Sequence, residues 1–215
     1  MAQPPRAETA LPSRERIVAA ATELFARHGF HGVTTRQIAA AVELNVATVH
    51  HHVGGKRDLY EQVFLAMQEE ENALVQELLE ELEHASVHDP ETLRRLFNGL
   101  VDRLADMLCA NPARGRLYVR RWLEKPPPAD SAGNEQNLLL FRSLYRVLET
   151  MRARGVIRPR ADLGFLLRSV DWLAYGYFVG GPVGPVTWRD DPHREENLRA
   201  FKEYLHEYLA CMLRF

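Results

Sequence analysis

Apolar residues recur along this chain at intervals of three and four and nowhere alternate with polar ones, so the pattern predicts helices and no strands. Ile17, Ala20, Ala21, Leu24 and Phe25 mark a first helix, with Ser13 as its expected cap and Gly29 and Gly32 as its stop. A second starts at Thr34, where Thr34 and Gln37 have the spacing of a capping box, and a third, capped by Asn45, runs to about His52. Gly54-Gly55 interrupts the chain, and a long helix follows from Lys56 with Leu59, Val63, Met67, Leu74, Leu78 and Leu82 on its apolar side.

Beyond Asp89-Pro90, Leu93, Leu96, Phe97, Leu100, Val101, Leu104 and Leu108 form one stripe, ended by Asn111-Pro112. A shorter helix carries Leu117, Tyr118, Trp122 and Leu123 before the Pro126-Pro127-Pro128 loop. Another is expected over 134–154, punctuated by Gly155 and Pro159, and the most apolar one over 162–178. A last helix from about His193 carries Leu198, Phe201, Leu205, Tyr208, Leu209 and Met212. The fold class is all-α. Residues 1–12, with Pro4, Pro5 and Pro12, read as a disordered tail.

Hydrophobic residues make up 46% of the 215, enough for a sizeable core. The net charge of −2 excludes whole-surface attraction to nucleic acid, so any such contact must be local. Glu61 to Asp89 holds nine acidic residues and no Lys or Arg, which reads as a solvated helix face. Cys109 and Cys211 lie far apart with no CxxC pair, which fits a reducing compartment and gives no disulfide framework or zinc site. Without a signal-like N-terminus or an apolar run of ~18 residues, the expected location is the cytoplasm. No GxSxG, phosphate-cradling glycine loop or HExxH occurs, so no enzyme, cofactor or metal is expected.

Thr34 to Lys56 carries the clearest chemistry. Two short helices joined by a tight turn form a helix-turn-helix, whose second helix enters the DNA major groove. From Arg14 to Tyr60 the chain resembles the tetracycline-repressor (TetR) family of bacterial transcription regulators, through LFARHGF, Thr34-Thr35, Ile38-Ala39, Ala47-Thr48-Val49 and TVHHHVGGKRDLY. The resemblance implies a helix-turn-helix domain over 13–55 and a helical effector-binding and dimerisation domain over 56–215. It also implies a homodimer on a palindromic operator, with dimer helices expected at 134–154 and 162–179. Repression would be relieved when a small, partly apolar effector favours a conformer whose fourth helix swings the recognition helices out of register. Three departures stand out: Glu43 where the family usually has Gly, His50 where it favours Tyr, and Gly54-Gly55 in place of a polar pair.

Expected DNA contacts follow from residue type and place. Thr35 sits at a helix start, where N–H groups and a hydroxyl hold a phosphate, and Arg36 reaches a phosphate or a guanine edge. Asn45 caps the recognition helix; Ala47 and Thr48 are small enough for close approach and suit a thymine methyl; His51 faces outward. His52 and Lys56 match family positions that grip the backbone. A Lys in the first turn opposes the helix dipole unless a phosphate sits beside it.

His50-His51-His52 does not suit a metal, because consecutive helical side chains point about 100° apart. His84 and His88 have i, i+4 spacing without a third ligand, and read as surface histidines. Asp171 is expected to pair with Arg168, or else to meet a ligand. Phe97, Tyr118, Trp122, Phe141 and Trp172 are candidates to line an apolar effector cavity, with core or dimer packing as the alternative. Gly176, beside Tyr175 and Tyr177, permits close helix packing between subunits or is simply tolerated. Two rivals stand beside the repressor: a dimeric DNA-binding interaction protein with no small-molecule effector, and a ligand-binding protein whose DNA domain has decayed.

Overall fold

The computed structural model describes residues 13–85, 89–123, 132–157 and 162–213, with backbone alone at 132–140. Nine helices and no strand occur among them: α1 Ser13–His28, α2 Thr35–Ala41, α3 Val46–Val53, α4 Lys56–His84, α5 Pro90–Ala110, α6 Pro112–Leu123, α7 Ala132–Ala153, α8 Leu163–Gly180 and α9 Glu195–Leu213. The 1–12 tail, His88, the Pro126–Pro128 loop, the Leu138 side chain and Pro159 lie outside what is described. The chain divides into two compact units, one ending at Leu65 and one beginning at Ala66.

In the first unit, Ile17, Ala21 and Phe25 recur every fourth residue of α1 and bury that stripe. Ile38 and Ala39 of α2, Val49 and Val53 of α3, and Leu59, Tyr60, Val63 and Phe64 of α4 complete this core. Each fully buried Ile, Leu or Phe contributes about 1.5–3 kcal/mol. The unit therefore takes in the opening turns of α4, beyond the limit at residue 55 suggested by the glycine pair. Two local expectations change. Ser13 lies inside α1 rather than capping it. Gly29 does end α1, at φ 71° with its N–H on the Phe25 carbonyl, while a Cβ at Gly32 would lie 2.3 Å from the His28 carbonyl oxygen.

In the second unit α5 is central, presenting Leu93, Phe97, Val101, Ala105 and Leu108 to one core shared with α6 to α9. Asp89 caps α5 through the Glu91 and Thr92 amides, with Pro90 in the first turn where no donor is needed. Asn111 closes α5, and α6 begins at once at Pro112, five residues before the apolar stripe at Leu117 suggested. Asp162 caps α8 through the Phe165 amide. Lys202–Asp106 at 2.6 Å and His206–Asp102 at 2.8 Å tie α9 to α5. Among the described residues no helix is long and apolar enough to cross a membrane.

The solvated-face reading of the acidic run fails at Glu71. Arg114 of α6, 1% exposed, donates to Glu70 Oε2 at 2.6 Å, to Glu71 Oε1 at 3.5 Å and to the Met67 carbonyl at 3.0 Å. The Tyr118 hydroxyl donates to Glu71 Oε2 at 3.0 Å, and the Tyr175 hydroxyl donates to Glu71 Oε1. Burial pushes the Glu71 carboxyl above the usual range, opposed by the Tyr175 hydroxyl and the Arg114 charge. A buried charge needs such partners, and four arginines in one short helix give no sign of which one is inside.

Candidate nucleic-acid interface

The capping box forms as its spacing predicts. Thr34 Oγ1 accepts from the Gln37 amide at 3.3 Å, and Gln37 Oε1 accepts from the Thr34 amide at 2.7 Å. That fixes where α2 begins, leaving Thr35 half-buried in its first turn and Arg36 exposed. At the other end, Arg16 of α1 donates to the Val42 carbonyl at 2.9 Å. The next residue, Glu43, is the one non-glycine at positive φ among the described residues, at 57°. The turn thus keeps the left-handed geometry for which glycine is the unstrained choice.

Asn45 then caps α3, its Oδ1 accepting from the Thr48 amide at 2.7 Å. Val49 and Val53 point into the core, which turns Ala47, His50, His51 and His52 to solvent with Thr48 half-exposed. The His51 and His52 rings meet edge to face at 5.6 Å. Among the described residues no three metal-type side chains gather.

The end of α3 is held from outside. Gln62 Nε2 donates to the Val53 carbonyl at 2.8 Å, and Arg14 donates to Gln62 Oε1 at 2.8 Å. Gly54 takes φ 75°, and the Asp58 carboxylate, accepting from the Gly55 amide at 2.8 Å, lies where a Cβ on Gly54 would meet it at 2.6 Å. The adjoining Lys56 is half-buried, its Nζ 4.4 Å from the centre of the Phe30 ring, and burial lowers its pKa. Thr35, Arg36, Ala47, Thr48, His51, His52 and Lys56 therefore all belong to the first unit with solvent access. Arg14, Arg16, Asp58, Gln62 and Phe30 support them through contacts that residue type and spacing alone did not single out.

The five aromatic candidates of the second unit do not share one place. Tyr118 and Trp122 gather on Tyr175, with ring centres 4.7 and 5.7 Å from it. Phe97 is core, at 5% exposed, and Phe141 and Trp172 are exposed at 38% and 49%. A groove of about 920 Å³ at the junction of α4 and α5 has a different lining, mainly Glu77, Glu80, Glu81, His84, Thr92 and Arg95. The expected Arg168–Asp171 pair forms at 3.3 Å, and nothing lies within 4 Å of a Cβ built on Gly176.

Residues 17–63 match the family described as bacterial regulatory proteins, tetR family. The chain is 30% identical over 169 residues to the HTH-type transcriptional repressor AcnR of Corynebacterium diphtheriae, covering 76% of this chain and 78% of that one. To its counterpart in Corynebacterium efficiens it is 33% identical over 180 residues, covering 81% and 85%. Its fold is similar to the ketosteroid transcriptional regulator KstR2 of Mycobacterium tuberculosis, with TM-score 0.69 and 17% identity over 94% of this chain and 96% of that one. It is likewise similar to PfmR of Thermus thermophilus, with TM-score 0.66 and 19% identity over 92% and 95%.

Proposed function

The chain belongs to the TetR family of bacterial regulatory proteins, and from that premise we propose that it is a homodimeric repressor of a palindromic operator, released by a small-molecule effector. Its partner is double-stranded DNA, and it is a transcription regulator rather than an enzyme. The observation that carries the reading is the recognition helix. Val49 and Val53 anchor α3 while Ala47, Thr48 and His51 share the opposite, solvent-facing side. Ala47 and Thr48 read base edges; Thr35, His52 and Lys56 hold the backbone; Arg36 and His51 reach a phosphate or a base edge; Asn45 sets the start of the helix.

In this reading the helix-turn-helix itself ends near residue 55, and α4, which begins in the first compact unit and continues into the second, links DNA binding to the helical domain. An effector acts only through a difference in affinity between two conformers, favouring the one with the recognition helices out of register. Tyr118, Trp122 and Tyr175 form an aromatic wall beside Glu71, which supports an effector with an apolar portion. The exposed Phe165, Trp172 and Gly176 on one side of α8 support that helix as half of the subunit contact.

The test is selection of bound sequences from a random duplex library. A palindrome is expected, its half-sites about one helical turn apart, ~34–36 Å. A folded dimer that enriches no sequence at low salt would overturn the reading.

A further inference from the structure

We propose that Phe30 is a positioning residue for DNA binding, its ring fixing the Lys56 ammonium where a phosphate takes it up. The inference rests on the backbone-gripping role of Lys56 and assigns a residue that assists it.

Lys56 is the first residue of α4, so the partial positive charge of the helix start repels its ammonium. A lysine in solvent would also be spread over many rotamers, and a phosphate contact would have to order it. The Phe30 ring counters both effects. Its face carries negative charge density, and the ammonium sits 4.4 Å from its centre, within cation–π range. The ring is itself fixed, 5.0 Å from the Tyr60 ring and 6.2 Å from that of Phe25. The His31 and Phe30 rings are nearly perpendicular, with centres 5.2 Å apart. An ammonium has three N–H donors, and a ring occupies one side of it. The side away from the ring is left for a phosphate oxygen, reached without reordering the chain.

Phe30, half-buried, also packs against the core rings of Phe25 and Tyr60, so the test separates position from stability. Phe30→Leu, Phe30→Tyr, Lys56→Ala and the Phe30→Leu/Lys56→Ala double variant are titrated with a mixed-sequence DNA duplex at low salt, and thermal unfolding is recorded for each. Phe30→Leu is expected to weaken binding about two- to five-fold, the scale of an exposed cation–π contact, whereas Phe30→Tyr binds like the parent. In the Lys56→Ala background Phe30→Leu should add nothing, whatever it does to stability. Equal losses in both backgrounds, or tighter binding by Phe30→Leu, would overturn the proposal. NMR of the free protein reads the geometry directly: the Lys56 ε-methylene protons should be shifted upfield by the ring and return to ordinary values in Phe30→Leu. If that shift is seen but Lys56→Ala leaves affinity and salt dependence unchanged, the phosphate contact of Lys56 is what fails, and the role of Phe30 falls with it.

Discussion

Arg114 Nη1 lies 3.5 Å from Glu71 Oε1, joining a cation that is 1% exposed to a carboxylate that burial disfavours in its charged form. Such a pair contributes little net stability against an apolar replacement, but removing one member leaves the other charge uncompensated. Arg114→Met should therefore destabilise the second unit by about 3–5 kcal/mol. Adding Glu71→Gln, which removes the charge and can accept from one tyrosine hydroxyl through its oxygen while donating to the other through its NH2, should recover more than half of that loss. Denaturant midpoints of the two single variants and the double give the coupling. Additive losses would show that the two side chains do not depend on each other.

Glu43 carries a backbone conformation that costs a non-glycine residue about 1 kcal/mol. Glu43→Gly should raise stability by about that amount, less the entropy glycine adds to the unfolded chain. It should also tighten DNA binding, because a carboxylate beside the phosphates is gone. Glu43→Gln separates the two causes, gaining affinity without gaining stability. A Glu43→Gly protein no more stable than the parent would mean that the turn relaxes around the side chain.

The two ends of the helix-turn-helix were legible because caps are local. Thr34–Gln37 and Asn45–Thr48 are satisfied within four residues, so spacing alone places them. The apolar stripes placed the remaining helices for the same reason, with Pro112 missed as a start because α6 follows α5 without a spacer. Partners distant in sequence left no such signature. Arg16 reaches Val42 and Arg114 reaches Glu70, and nothing in the α1 or α6 sequence distinguishes either arginine from the others in its helix. The five aromatic candidates do not gather in one place, because residue type cannot separate the buried Phe97 from the exposed Trp172.

Asp171 gives a pH dependence of known sign. Burial pushes its carboxyl from 3.8 up to about 6, with the Arg168 charge opposing. Between those values the folded chain binds more protons than the unfolded one, so this residue lowers stability as pH rises through the window. Asp171→Asn should flatten the fall in stability between pH about 4 and 6. Unfolding midpoints measured across that range check it. Parallel curves for parent and variant would place the carboxyl in the ordinary range.

Thr48 and Lys56 should fail in different ways, which divides the interface into its reading and gripping parts. Lys56→Ala removes a positive charge, so affinity for all sequences should drop similarly and the salt slope should flatten by about one unit. Thr48 lies beside Ala47 on the side of α3 turned away from Val49 and Val53, and carries no charge. Thr48→Ala should leave the salt slope unchanged and cost about 1–3 kcal/mol on the selected operator, with little effect on mixed-sequence DNA. The Thr48 hydroxyl takes no part in the Asn45 cap, which uses the Thr48 amide, so the substitution leaves the helix start intact. Titrations at several salt concentrations against both duplexes resolve the two patterns. A uniform loss for Thr48→Ala would move that residue to the backbone contacts and leave base reading to its neighbours on α3.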